Sequence, residues 1–141
     1  MSSDSQPSAM TGGCACGEVR YQVEGVPLLM SNCHCRDCQH ATGSAYLPAV
    51  IVKRRECSFV IGELTWYESV ADAGHAMQRG FCATCGSPVA LQNGAAPGVT
   101  VLYAASLDDP AAYAPSRDIY VASAQPWDVM HAELEKFAGM P

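Results

Sequence analysis

Glu18-Val19-Arg20-Tyr21-Gln22-Val23-Glu24 alternates polar and apolar residues without a fault. That period of two places Val19, Tyr21 and Val23 on one side of a half-buried strand, which Gly25-Val26-Pro27 ends. The apolar run 45–52 predicts another strand, with Pro48 implying an edge or a bulge. Lys53-Arg54-Arg55-Glu56 reads as a solvated turn. Residues 58–61 and 64–68, joined through Gly62-Glu63, resemble a hairpin. Residues 70–76 are loop-like, and Met77 to Phe81 lead into a cysteine pair. Strands at 88–91 and 99–104 flank a turn at 93–98, and 107–110 is a further turn before a last strand at 119–122. Helical signals are few. Gln39 to Thr42 predicts a single turn closed by Gly43, and Asp128 is placed to cap a short helix through Phe137, with Gly139 past its end. The pattern predicts a mainly β fold of many short strands, without repeats, linkers or low-complexity segments.

A length of 141 residues suits one domain with a proper core. We expect it over residues 11–141, behind a polar leader at 1–10 that is disordered and lacks the apolar stretch of a signal peptide. No apolar run is long enough to span a bilayer. A formal net charge of −6 argues against a nucleic-acid partner, whose binding proteins carry a basic face. The oligomeric state is not encoded in any such average. These features predict a cytoplasmic protein. Its eight cysteines, in a reducing compartment, point to metal binding or catalysis before disulfides.

The cysteines fall into groups. Cys33-His34-Cys35-Arg36-Asp37-Cys38 holds three thiols within one turn of chain, spaced to converge on one point. Soft thiolates so gathered suit a zinc-class ion, with iron as the other thiolate-bound candidate. Cys82-Ala83-Thr84-Cys85-Gly86 is a knuckle that provides two ligands and needs two more, from Cys14/Cys16 or from the triplet. Cys14 and Cys16, flanked by Gly12, Gly13 and Gly17, have no other evident metal use, and pairing them with Cys82 and Cys85 closes a four-thiolate site. Cys33, Cys35 and Cys38 then remain, one ligand short of a tetrahedron. Either the vacancy is kept for substrate or His34, His40, His75 or Cys57 fills it. Catalytic zinc sites keep such a position open and structural ones do not. Cys57 otherwise reads as a free thiol.

In Gly13-Cys14-Ala15-Cys16-Gly17-Glu18-Val19-Arg20-Tyr21, Cys33 to Cys38, and Phe81-Cys82-Ala83-Thr84-Cys85-Gly86, the chain resembles the glutathione-dependent formaldehyde-activating enzyme family, which includes centromere protein V. The resemblance runs from about Gly12 to Leu107 and is fainter through Trp127 and the Phe137 to Pro141 tail. It implies a zinc-stapled, tent-like fold of short antiparallel β-strands, with a structural zinc on Cys14, Cys16, Cys82 and Cys85. A second, more labile zinc is implied on Cys33, Cys35 and Cys38. The implied activity is addition of glutathione to formaldehyde, giving S-hydroxymethylglutathione, a carbon–sulfur lyase reaction. Gly43-Ser44 also matches the family pattern. Two positions depart from it. Pro115-Ser116-Arg117-Asp118-Ile119 has Asp118 where many members carry histidine, and Ala124-Gln125-Pro126-Trp127 lacks the basic residue common before the tryptophan. Those departures point to another thiol or carbonyl compound.

On this reading Cys33, Cys35 and Cys38 form the catalytic centre for a small thiol such as glutathione and a small aldehyde. Ser44, or a backbone N–H near Gly43, would donate to the developing oxyanion. Arg36 would offset thiolate charge or meet a substrate carboxylate. The competing expectation is a non-enzymatic zinc module that binds a protein partner, with a fourth protein ligand on the central metal.

Overall fold

The computed structural model describes residues 10–141. The expected leader thus lies outside the described residues, except Met10, which is already paired in the first strand. All β-strands but two short ones fall in hairpin-like antiparallel order. In chain order they are β1 (Met10–Gly13), β2 (Arg20–Val23), β3 (Leu29–Cys33), β4 (Leu47–Lys53), β5 (Cys57–Ile61), β6 (Thr65–Val70), β7 (Ala76–Phe81), β8 (Pro88–Asn93), β9 (Val99–Tyr103), β10 (Arg117–Ile119) and β11 (Glu135–Lys136). The α-helix, α1, spans Arg36–Thr42. The fold is mainly β, and no helix among the described residues is long and apolar enough to cross a membrane.

Two sheets carry the strands: a small one ordered β1-β2-β5 and a large one ordered β11-β10-β3-β4-β9-β8-β7-β6. Pairing is antiparallel except where β10 lies parallel to both β3 and β11. The alternation along β4 shows how the large sheet is used. Val50 and Val52 pack in one apolar cluster with Val19, Tyr21 and Val23 of the small sheet, while Leu47, Ala49 and Ile51 belong to a second cluster. Successive side chains on a strand point to opposite faces. One face of the large sheet therefore holds the small sheet with Cys14 and Cys82, and the other holds Cys33 and Cys38 with the C-terminal Phe137. The cysteine groups sit on opposite sides of one sheet.

Tyr21 anchors the first cluster. It is 1% exposed, meets Phe59 edge-on at 5.9 Å, and its hydroxyl lies 2.7 Å from Ser106 Oγ, which itself donates to the Tyr103 carbonyl. Tyr21→Phe removes one buried hydrogen bond and is expected to cost about 1 kcal/mol. Urea unfolding would show this as a lower midpoint at unchanged slope, and an unchanged midpoint would refute it.

Four expectations need correction. The hairpin at 58–68 does not form: β5 pairs with β2 in the small sheet, and β6 pairs with β7 in the large one. Gly62 is the reason. It sits at φ 70°, and a Cβ there would lie 2.1 Å from the Glu18 carbonyl oxygen, so the chain slips past β2 and crosses between sheets. Pro48 is in an interior strand, but the ladder with β9 begins only at Ala49, so the proline has a neighbour on the β3 side alone. The last strand ends at Ile119, because Tyr120 turns to φ 58° and starts a tight turn over Val121–Ser123. No helix forms after Asp128. Instead the Phe137 N–H donates to the Asp118 carbonyl and the Val121 N–H to the Phe137 carbonyl, laying the tail beside β10.

Candidate metal and active site

The first cysteine group is assembled from two turns. Cys14 and Cys16 lie between β1 and β2, and Cys82 and Cys85 between β7 and β8. Cys14 Sγ is 3.6 Å from Cys16 Sγ, which is 3.8 Å from Cys82 Sγ, and all four sulfurs lie within 4.8 Å of one another. Four sulfurs held 2.3 Å from a tetrahedral zinc stand roughly 3.8 Å apart, so the group fits that ion. Backbone and hydroxyl donors support the charge. Val19 N–H donates to Cys14 Sγ at 3.3 Å, and hydrogen bonds from the Ser87 hydroxyl and backbone pull the Cys85 thiol down to about 5. Cys14 and Cys82 are buried, Cys16 and Cys85 exposed.

The second group forms where β3 meets α1. Cys33 ends the strand, Cys35 is the helix N-cap, and Cys38 lies in the first turn, its N–H donating to Cys35 Sγ at 3.3 Å. Helix geometry thus turns the two-residue spacing of Cys35 and Cys38 into side chains on one side. Gly43, at φ 68°, closes α1 in the left-handed conformation that glycine adopts freely. The three sulfurs lie within 4.8 Å of one another, and among the described residues no fourth ligand atom joins them. Mutual hydrogen bonding splits them: it pulls Cys35 far down and pushes Cys33 up. All eight cysteines are unbridged.

The histidines and Cys57 do not complete the triplet. His34 is fully buried between Cys33 and Cys35 with both ring nitrogens engaged, Nε2 2.7 Å from Asp118 Oδ1 and Nδ1 2.6 Å from Asp128 Oδ2. His40 faces Arg36 on the exposed side of α1, and Cys57 packs in the other cluster. Asp118 is further held by Lys136 Nζ at 3.0 Å and by Asn32 Nδ2 at 3.1 Å. Burial works against that carboxylate's charge, but the His34, Lys136 and Asn32 hydrogen bonds outweigh it and keep its pKa low. Asp118, which stands at the family's histidine position, and Asp128, expected as a helix cap, form the two arms of a clamp on His34.

Arg36 is exposed and runs along α1, donating to Gln39 Oε1 and approaching His40. The Gly43 N–H is spent on the Gln39 carbonyl and the Ser44 N–H on Thr42 Oγ1, while Ser44 Oγ donates to the Tyr46 carbonyl at 3.1 Å. Neither backbone group is left free for an oxyanion. The cation beside the sulfurs is one that the motifs did not indicate. Arg79, half-buried on β7, places Nη2 4.0 Å from Cys38 Sγ and donates from Nη1 to Tyr103 Oη at 3.2 Å. Burial works against its charge, but Cys38 and Tyr103 more than restore it. The signal was present in Met77-Gln78-Arg79-Gly80-Phe81, where an arginine takes the apolar parity of a strand.

The glutathione-dependent formaldehyde-activating enzyme family matches residues 9–123, which hold both cysteine groups and Arg79. The chain belongs to that family. The crystal structure of a Rhodobacter sphaeroides protein has a similar fold, with a TM-score of 0.59 and 22% sequence identity, covering 91% of this chain and 99% of that one. No curated protein matches the chain. Asp128, Lys136 and Phe137 lie beyond the span matched by the family, yet they pack behind the triplet.

Proposed function

We propose that the protein is a zinc-dependent carbon–sulfur lyase that adds a small thiol, glutathione or a similar one, to formaldehyde or another small aldehyde, or runs the reverse. The observation that carries this reading is the contrast between the two groups. Four thiols close one site, and three thiols on the other sheet face, with no fourth ligand atom among the described residues, leave a position for substrate. The reading assigns catalysis to Cys33, Cys35 and Cys38. Zinc held there would keep an incoming thiol as its thiolate at neutral pH. A reducing cytoplasm, where eight thiols stay unbridged, suits both groups.

The chain's own residues supply the rest. Arg79 sets a positive charge against the Cys38 sulfur and moderates the crowding of thiolates. The Tyr103 hydroxyl accepts from Arg79, so its own proton is available to the oxygen of an aldehyde as the carbon–sulfur bond forms. Leu91, Ile119 and Phe137 keep water from the buried side. In the reverse direction the oxygen returns its proton to Tyr103 and the same bond breaks.

The test is metal per chain in protein purified without chelator, for the wild type and for Cys35→Ser, beside adduct formation from thiol and aldehyde followed by NMR. We expect about two zinc ions falling to about one, with the fold kept and turnover lost. One ion in both proteins, with no turnover, would leave the four-thiolate site alone and favour a zinc module that binds a protein partner.

A further inference from the structure

The register of the large sheet lines up one residue from each of six strands: Tyr67, Arg79, Leu91, Val101, Ile51 and Leu29. Directly paired residues share a face of the sheet, and this is the face of the cysteine triplet, since Leu91, Val101 and Ile51 pack in its cluster. Five of the six are apolar or aromatic. Arg79 is the one charge in the row, placed one strand in from an edge whose Tyr67 is 63% exposed. Among the described residues no carboxylate lies within ion-pair distance of it, whereas Arg20 and Lys136 are each paired with an aspartate. Its contacts are a phenol and, at 4.0 Å, one sulfur. A guanidinium has five N–H donors in a planar fork that fits a carboxylate through two parallel bonds. A phenol and one sulfur use only part of that fork, which leaves donors for a planar anion.

We infer that Arg79 is the carboxylate-recognition residue of this site, and that one of the two reactants bears a carboxylate within one or two carbons of its reacting atom. The inference rests on the thiol–aldehyde reading above and narrows its substrates. The closeness of Arg79 to Cys38 limits the reach: a carboxylate held by the fork lies beside the sulfurs, so the spacer to the reacting atom is short. Arg36, exposed and engaged along α1, has no such placement.

The experiment loads the protein with Co²⁺ and titrates two thiols that differ only at the far end, mercaptoacetate and 2-mercaptoethanol, reading the cobalt absorption bands. In parallel, turnover is compared for glyoxylate and glycolaldehyde with a fixed neutral thiol. We expect a preference of about tenfold or more for the carboxylate in one pair, the size of a charge-assisted fork. If it is in the thiol pair the carboxylate belongs to the thiol, and if in the aldehyde pair, to the aldehyde. Arg79→Gln should abolish that preference, weakening the carboxylate-bearing compound about tenfold more than its neutral counterpart. Arg79→Lys, which keeps charge but loses the fork, should retain part of it. No preference in either pair would overturn the inference while leaving thiol binding intact. So would a Gln variant that weakens charged and neutral compounds equally, the result of a purely structural arginine. A cobalt spectrum indifferent to both thiols, with no turnover of either aldehyde, would overturn the thiol–aldehyde reading itself and this inference with it.

Discussion

Cys82→Ser is expected to lose one metal ion per chain and, with it, several kcal/mol of stability. Cys82 is 1% exposed and sits in the first apolar cluster with Val19 and Val89, so its sulfur is part of the core as well as of the four-thiol group. Its sulfur reaches Cys16 across 66 residues of sequence, and in doing so ties the turn between β1 and β2 to the turn between β7 and β8. A link across so long a loop removes much of the unfolded chain's freedom. Zinc binding contributes about 10–16 kcal/mol in small fingers that have no core of their own. Here Tyr21, Val50, Val52 and Leu102 provide a core independently, so a loss of about 4–6 kcal/mol is the reasonable scale. Thermal unfolding with metal analysis checks it. The wild type treated with a strong chelator should fall to the same melting temperature, and the variant should no longer respond to chelator at that site. A variant that keeps both ions and melts with the wild type would mean that these four thiols hold no metal.

The cysteine groups were legible because spacing alone sets which thiols can converge: one intervening residue, or two across a helix start, leaves little choice of geometry. The strand at Val19, Tyr21 and Val23 was legible for a similar reason, since its alternation is local, and all three are buried. Long-range choices were not. Residues 58–61 have the pattern of a hairpin arm, but nothing in them says that β2 competes for their edge, or that a Cβ at Gly62 would lie 2.1 Å from the Glu18 carbonyl oxygen. The stretch after Asp128 is rich in helix formers, yet its helix is worth less than burying Phe137 and satisfying His34. Motifs mark residues near the cysteines in sequence, such as Arg36 and Ser44, which turn along the helix end, whereas Arg79 is 41 residues from Cys38 but beside it in space.

His34→Ala should be the most damaging change outside the two cysteine groups, at about 3–5 kcal/mol. The ring is fully buried, and the Asp118 and Asp128 side chains on either side of it are each 1% exposed. Each ring nitrogen faces one carboxylate, Nε2 that of Asp118 and Nδ1 that of Asp128, so the ring is held from both sides. Removing the ring leaves both carboxylates facing a void, with only Lys136 and Asn32 near Asp118 and no remaining partner shown for Asp128. Because His34 is the residue between Cys33 and Cys35, the void also loosens the backbone that sets two sulfurs of the triplet. The zinc count should therefore fall from two towards one, with the four-thiolate site on the other sheet face unaffected. Asp128→Asn, which keeps the shape and an acceptor, should lose only about 1.5–3 kcal/mol, and combining it with His34→Ala should cost much less than the sum. Urea titration of the three variants with metal analysis decides the matter. Additive losses, or a His34→Ala protein less than about 1 kcal/mol below wild type, would mean that the clamp carries no energy.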